Sequence, residues 1–202
     1  MLKTSRYYLP LSSFTADAKL TKTSEVDGTN GTAHLGRLTV GDHSTDRVII
    51  FNTAALNDLV KIEFRAMDKW FEEEVETFCH PKDPYKRIEI LPSTRSVRVA
   101  VDGVTIAETT SALFLLETTL RTRYYLPPTS VKWEYLTSND QESLCPYKGK
   151  ANYYDVTVNG RTYRNLVWYY RTPTMESAPI AGHFCFYNEK VDIWVDGKKE
   201  ER

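Results

Sequence analysis

The chain has no long hydrophobic run, few cysteines and almost no net charge, and each shortage removes a class of function. No stretch of its 202 residues approaches the ~18 consecutive apolar residues that cross a bilayer. The opening Met1-Leu2-Lys3-Thr4-Ser5-Arg6 holds no apolar segment of the secretory type. The expectation is a cytoplasmic protein with no membrane partner. Three cysteines, at 79, 145 and 185, are odd in number and far apart, which argues against a disulfide framework and against a four-ligand structural zinc. With 26 basic against 27 acidic side chains there is no field to attract nucleic acid. Neither a phosphate-cradling Gly-rich motif nor a Gly-Ser loop followed by Asp-x-Asp is present, so no metal or nucleotide cofactor is expected. Asn30-Gly31-Thr32 fits a glycosylation sequon but, without a secretory signal, reads as a turn.

What remains is β-structure. Thirteen tyrosines, four tryptophans and many short alternating runs favour strands. Val97-Arg98-Val99-Ala100-Val101 alternates, turns at Asp102-Gly103 and returns through Val104-Thr105-Ile106-Ala107, a hairpin. Tyr153 to Val158 and Leu166 to Tyr170, with Asn159-Gly160 at the turn, predict a second hairpin. His183 to Tyr187 and Val191 to Val195 predict a third. Ala112-Leu113-Phe114-Leu115-Leu116-Glu117 is leucine-rich and unbranched, which predicts one short helix capped by Thr110 or Ser111. A helical turn is also expected near Ala54 to Asp58.

The same five residues open two segments, Arg6-Tyr7-Tyr8-Leu9-Pro10 and Arg123-Tyr124-Tyr125-Leu126-Pro127, and the parallel continues. Gly31-Thr32-Ala33 falls on Gly149-Lys150-Ala151, Val48 to Phe51 on Leu166 to Tyr169, and Asp68 and Trp70 on Asp192 and Trp194. Roughly 100 residues bury a core alone, so this reads as two tandem β-rich domains. Residues 1–76 form a truncated first copy, 77–94 a linker and 95–202 a complete copy. The first copy lacks the elements that precede Arg123 in the second. Its exposed sheet edge then needs cover, from another segment or from a homodimer paired through Arg6 to Pro10 or Val48 to Phe51. It also reads Asp27-Gly28-Thr29-Asn30-Gly31 where the second reads Cys145-Pro146-Tyr147-Lys148-Gly149, so chemistry is expected in the second copy.

Glu117, Arg123-Tyr124-Tyr125-Leu126-Pro127, Cys145 to Gly149, Tyr153-Tyr154, Ile180-Ala181-Gly182 and Val191-Asp192, within residues 95–196, resemble a complete copy of the DUF427 family. His80 to Arg87 resembles the connector of two-copy members. The resemblance implies a compact, mostly β fold, tent-like or barrel-like, built of antiparallel strands with a short helix. Related tent-shaped folds carry zinc on paired CxxC motifs, which this chain lacks, so the zinc is not carried over. The nucleotidyltransferase label sometimes given to the family finds no support in the residues.

The candidate site centres on Cys145 to Gly149. Pro146 stiffens the backbone and Gly149 admits a left-handed or bulged turn, so Tyr147 and Lys148 project from a fixed corner. Lys148 is either an anchor for an anion or carbonyl, an amine whose pKa falls on desolvation, or a solvated turn residue. Glu117, ending an apolar run, is expected to turn inward toward Arg123 or Lys148, as a clamp or as an acid/base group. His183 reads as an imidazole bound to a backbone carbonyl or as an acid/base group. Arg123, Tyr125, Tyr147, Tyr153, Tyr154 and Trp168 are the candidate ligand contacts, although alternation puts only about half of the strand aromatics on one face. Cys145 reads as a core thiol rather than a nucleophile.

Two readings follow. One is a metal- and cofactor-free enzyme of isomerase, cyclase or hydrolase type, acting on a small molecule through Glu117, Lys148 and His183. The other is a noncatalytic ligand- or protein-binding module; nucleotidyl transfer is third. Convergence of Glu117 and Lys148 in one concave site favours chemistry, and their separation on a wet surface favours scaffolding.

Overall fold

Short alternating runs make strands along most of the chain, and every strand pairing is antiparallel. The computed structural model describes residues 6–201. The chain divides into two compact units, Met1–Asp83 and Pro84–Arg202.

In the first unit, β1 (Tyr8–Pro10), β2 (Lys19–Glu25), β3 (Ala33–Val40), β4 (His43–Phe51) and β5 (Leu59–Ile62) form one sheet in the order β1-β5-β4-β3-β2. β6 (Trp70–Glu72) and β7 (Val75–Thr77) form a separate hairpin. Leu38, Val48, Ile50, Val60 and Ile62 make the buried core, where alternate residues of β4 and β5 face the same side. Trp70 packs on Tyr7 and Phe64, and its indole N–H donates to the Phe64 carbonyl at 2.7 Å.

The second unit begins with an edge strand, β8 (Ile88–Pro92), followed by β9 (Val97–Val101), β10 (Val104–Thr109), β11 (Leu113–Glu117) and β12 (Arg123–Leu126). The long β13 (Leu136–Cys145), β14 (Gly149–Val158) and β15 (Arg161–Pro173) come next, then β16 (Phe184–Phe186), β17 (Asp192–Val195) and β18 (Lys198–Lys199). One sheet runs β13-β14-β15-β16-β12-β11-β8 and the other β10-β9-β17-β18. The two share a core in which Val97, Val99, Ile193 and Val195 meet Tyr124, Val156, Val167 and Phe186. Adjacent residues on a strand take opposite faces. Tyr124 and Tyr154 therefore pack with this core, while Tyr125, Tyr153, Trp168 and Tyr170 gather on the other face with Leu115, Ala151, Ile180 and Cys185.

Several expectations change. The run expected as a helix is β11, which pairs with β12 on one side and β8 on the other. Leu115 is fully buried and Phe114 packs edge-on against Tyr124, while Leu116 is exposed; pairing along both edges and these contacts override the helix propensity of the run. The helical segments among the described residues are all 3-10 turns, and none of the sheets closes into a barrel. Ala54 to Asp58 forms successive tight turns, with Leu56 N–H donating to the Thr53 carbonyl at 3.1 Å. The expected third hairpin does not exist: β16 lies between β15 and β12, and β17 pairs with β9 and β18. Tyr187 to Lys190 is a turn that passes the chain from one sheet to the other, anchored by buried Asn188. Within the expected linker, Ile88–Pro92 is a strand. Val48 to Phe51 lies inside its own sheet between β3 and β5, so it is no free edge for a second molecule.

Candidate functional site

Gly149 makes the corner after β13. Its φ of 96° is a conformation that residues with a Cβ rarely adopt, and a Cβ there would meet the Thr172 carbonyl at 3.4 Å. Cys145 pairs with Gly149 across the turn, leaving Pro146, Tyr147 and Lys148 at its tip. The 3-10 segment Met175–Ile180 and its flank hold that tip from outside the hairpin. Ser177 Oγ, fully buried, donates to the Tyr147 carbonyl at 3.0 Å, and Thr174 N–H donates to the Lys148 carbonyl at 3.1 Å. The tip is thus turned into the protein, and Lys148 is only 8% exposed, not a solvated turn lysine.

Lys148 Nζ donates to Glu117 Oε2 at 2.6 Å, and Lys86 Nζ lies 3.1 Å from Glu117 Oε1. Glu117 ends β11 opposite Ile88, so Lys86, two residues before Ile88, falls beside it. Lys86 also stands over the Tyr147 ring, 5.7 Å from its centre. Burial disfavours an ionised Glu117, but the two ammonium groups outweigh it and hold the carboxyl below its usual range. Both carboxylate oxygens are engaged, each by one lysine. Cys145 Sγ lies 3.8 Å from Lys148 Nζ.

Above the ion cluster lies a cavity of about 190 Å³ lined by Glu117, Leu120, Arg123, Tyr125, Lys148, Tyr153, Trp168, Tyr170 and Tyr187. Arg123 is held by Glu189 through two bonds, at 2.9 and 2.8 Å, and by Asn188 at 3.0 Å, and its guanidinium stands 5.5 Å over Trp168. Trp168 Nε1 donates to the Tyr125 hydroxyl at 3.1 Å, and Tyr153 shares a hydrogen bond of 2.7 Å with Ser143. Burial pushes the Tyr125, Tyr170 and Tyr187 phenols up, so all three stay protonated through neutral pH.

Of the expected site residues, Glu117, Arg123, Tyr125, Lys148, Tyr153 and Trp168 converge here. Tyr147 is buried beside the ion cluster without lining the cavity. Tyr154 points to the opposite face of the sheet, against Trp133, Tyr169 and Phe184. His183 is outside the lining, with Nδ1 at 3.0 Å from the Ala181 carbonyl. Lys86, Leu120 and Tyr187 carried no sequence signal, since each reaches the site through pairing between distant strands or at a turn. Cys185 is fully buried and its thiol is pushed far up by burial, which makes it inert. Among the described residues, no three His, Cys, Asp or Glu side chains cluster to hold a metal ion, and no helix is long and apolar enough to cross a membrane.

A carboxyl with a depressed folded-state pKa contributes stability above its unfolded value, about 4.3, and loses it as pH falls through the folded value. Glu117→Gln is therefore expected to unfold at lower denaturant than wild type at pH 7, with the gap closing as pH falls below about 4. Urea titrations at both pH values check this; a gap independent of pH contradicts it.

A family model described as a domain of unknown function (DUF427) matches residues 89–197, more than half of the chain. No curated protein matches. The matched span runs from β8 to the end of β17 and includes every residue lining the cavity, while Lys86 lies just before it. The chain therefore belongs to the DUF427 family.

Proposed function

We propose that the second unit binds a small molecule in the tyrosine-lined cavity and that Lys148 polarises a ligand oxygen there. The observation that carries this reading is a lysine withdrawn from water, fixed 2.6 Å from a buried carboxylate and lining a concave aromatic cavity. Burying such a pair is costly, and a well-packed apolar pair is often as stable, so stability alone is a weak reason for it. Polarisation of a carbonyl by a fixed cation in a water-poor site serves some isomerase, cyclase and hydrolase mechanisms. A noncatalytic binding site is the second reading, favoured by the engagement of both Glu117 oxygens and by His183 lying outside the lining. Nucleotidyl transfer has only the family label behind it.

A thermal-shift panel of small oxygenated metabolites, with nucleotides and magnesium alongside, tests this on wild type and Lys148→Met. A compound that raises the wild-type melting temperature and leaves a folded Lys148→Met unshifted is the expected result. An equal shift in both proteins contradicts a role for Lys148.

We infer also that the first unit is a shortened, degenerate copy of the second. The order β1-β5-β4-β3-β2 is that of β12-β16-β15-β14-β13. Tyr8 faces Lys61 as Tyr125 faces Cys185, and Val40 pairs with His43 across its turn as Val158 pairs with Arg161. Both ladders slip at equivalent places, after Gly36 and after Tyr154, and the second slip is one residue longer. Val48 then corresponds to Val167, one residue beyond the position that simple alignment gives it. Strands equivalent to β8 to β11 are lacking among the described residues of the first unit, and Val40 is exposed where Val158 is buried. Lys69 stands where Ile193 pairs with β9, a charge that protects a vacated edge. Grafting residues 93–122 ahead of Arg6, in place of residues 1–5 and with Lys69→Ile, is expected to slow amide exchange in 68–71 at least tenfold. Unchanged exchange in a folded graft contradicts the copy reading.

A further inference from the structure

The cavity holds more hydrogen-bond donors than the protein satisfies. Tyr170 is 5% exposed and lines the cavity, and its hydroxyl has no hydrogen-bond partner among the described residues. Tyr125, fully buried, accepts from Trp168, but its own proton meets no acceptor among the described residues. Lys148 has three N–H groups and directs one at Glu117, with the Cys145 sulfur at 3.8 Å a weak second partner. The Tyr170 hydroxyl is not sealed from solvent: it reaches the cavity, where its proton is open to an occupant. The phenols keep their protons through neutral pH, so they act as donors and do not supply the missing negative charge.

The charges are unbalanced in the same sense. Lys86 and Lys148 share the single Glu117 carboxylate, and Glu189 is held by Arg123, with the more exposed Arg121 4.0 Å away. Among the groups that line the cavity itself, Lys148 and Arg123 stand against one carboxylate, Glu117, an excess of one positive charge beside a donor-rich wall. The other wall is apolar, with the Trp168 and Tyr187 rings 4.5 Å apart and Leu120 alongside. At about 190 Å³ the space is enough for a compact molecule.

Resting on the pocket reading above, we infer that the ligand is a compact monoanionic carboxylate with a flat apolar body. Its carboxylate takes the free protons of Tyr125, Tyr170 and Lys148, and its body lies against Trp168 and Tyr187. A dianion such as phosphate exceeds the charge available, and a neutral amide brings donors of its own to a site already rich in them.

Isothermal titration of the full chain at about pH 8.5, where inorganic phosphate is a dianion, with benzoate, benzamide and phosphate tests this. Benzoate is expected to bind at least tenfold more tightly than either of the others. Tyr170→Phe is expected to weaken benzoate about tenfold, the loss of one hydrogen bond to a charged group. Because that hydroxyl bonds nothing in the protein, the ligand-free Tyr170→Phe protein is expected to melt no lower than wild type; a lower melting temperature contradicts the unpaired donor. Benzamide or phosphate binding as tightly as benzoate overturns the monoanion inference while leaving the pocket in place. No benzoate binding up to about 10 mM overturns it too, and the pocket reading then stands or falls on the uncharged metabolites of the panel.

Discussion

One carboxylate held between two lysines is the constraint around which the second unit is arranged. Glu117 closes β11, Lys148 comes from the corner between β13 and β14, and Lys86 comes from the chain just before β8. Three segments far apart in sequence are therefore tied at one point that water scarcely reaches. In such surroundings each charge depends on its partners, because an unpaired buried charge costs about 3–5 kcal/mol. The corner supports the arrangement through backbone bonds to Thr174 and Ser177, and Gly149 supplies a turn that other residues resist. A lysine anchored in this way has little freedom to swing out to solvent.

The same contacts determine which polar groups are left open at the cavity. Glu117 is saturated by its two partners, His183 bonds a backbone carbonyl outside the lining, and the phenols are held protonated by burial. The cavity therefore offers donors and positive charge. Donors, positive charge and an aromatic wall are the features on which the proposed binding of an oxygen-bearing ligand rests. The sheet pleat makes this division possible: Tyr153 faces the cavity while its neighbour Tyr154 packs on the opposite face against Phe184.

Much of this was legible in the sequence wherever the signal was local. Asp102-Gly103 and Asn159-Gly160 both take positive φ at each residue and make the two tight hairpins their composition predicts. Cys145 to Gly149 is the stiff corner expected, and Glu117 does turn inward to Lys148. What the sequence concealed depends on long-range pairing. Leu113 to Glu117 reads as a helix because the exposed Leu116 puts an apolar side chain where alternation calls for a polar one, so the run shows no period of two. Phe184 to Phe186 and Asp192 to Val195 read as a hairpin because nothing local records that Asn188 turns the chain into another sheet. Lys86, in a segment read as linker, enters the site only through the register of β8 against β11.

The most direct test of the central claim is a double-mutant cycle on Glu117 and Lys148, with Glu117→Gln, Lys148→Met and the pair compared by denaturant unfolding. The account predicts a coupling energy of at least about 1.5 kcal/mol, with the double variant more stable than the two single losses together imply. A coupling within about 0.3 kcal/mol of zero would mean that the two side chains act independently, and the buried ion cluster would not be what organises the site.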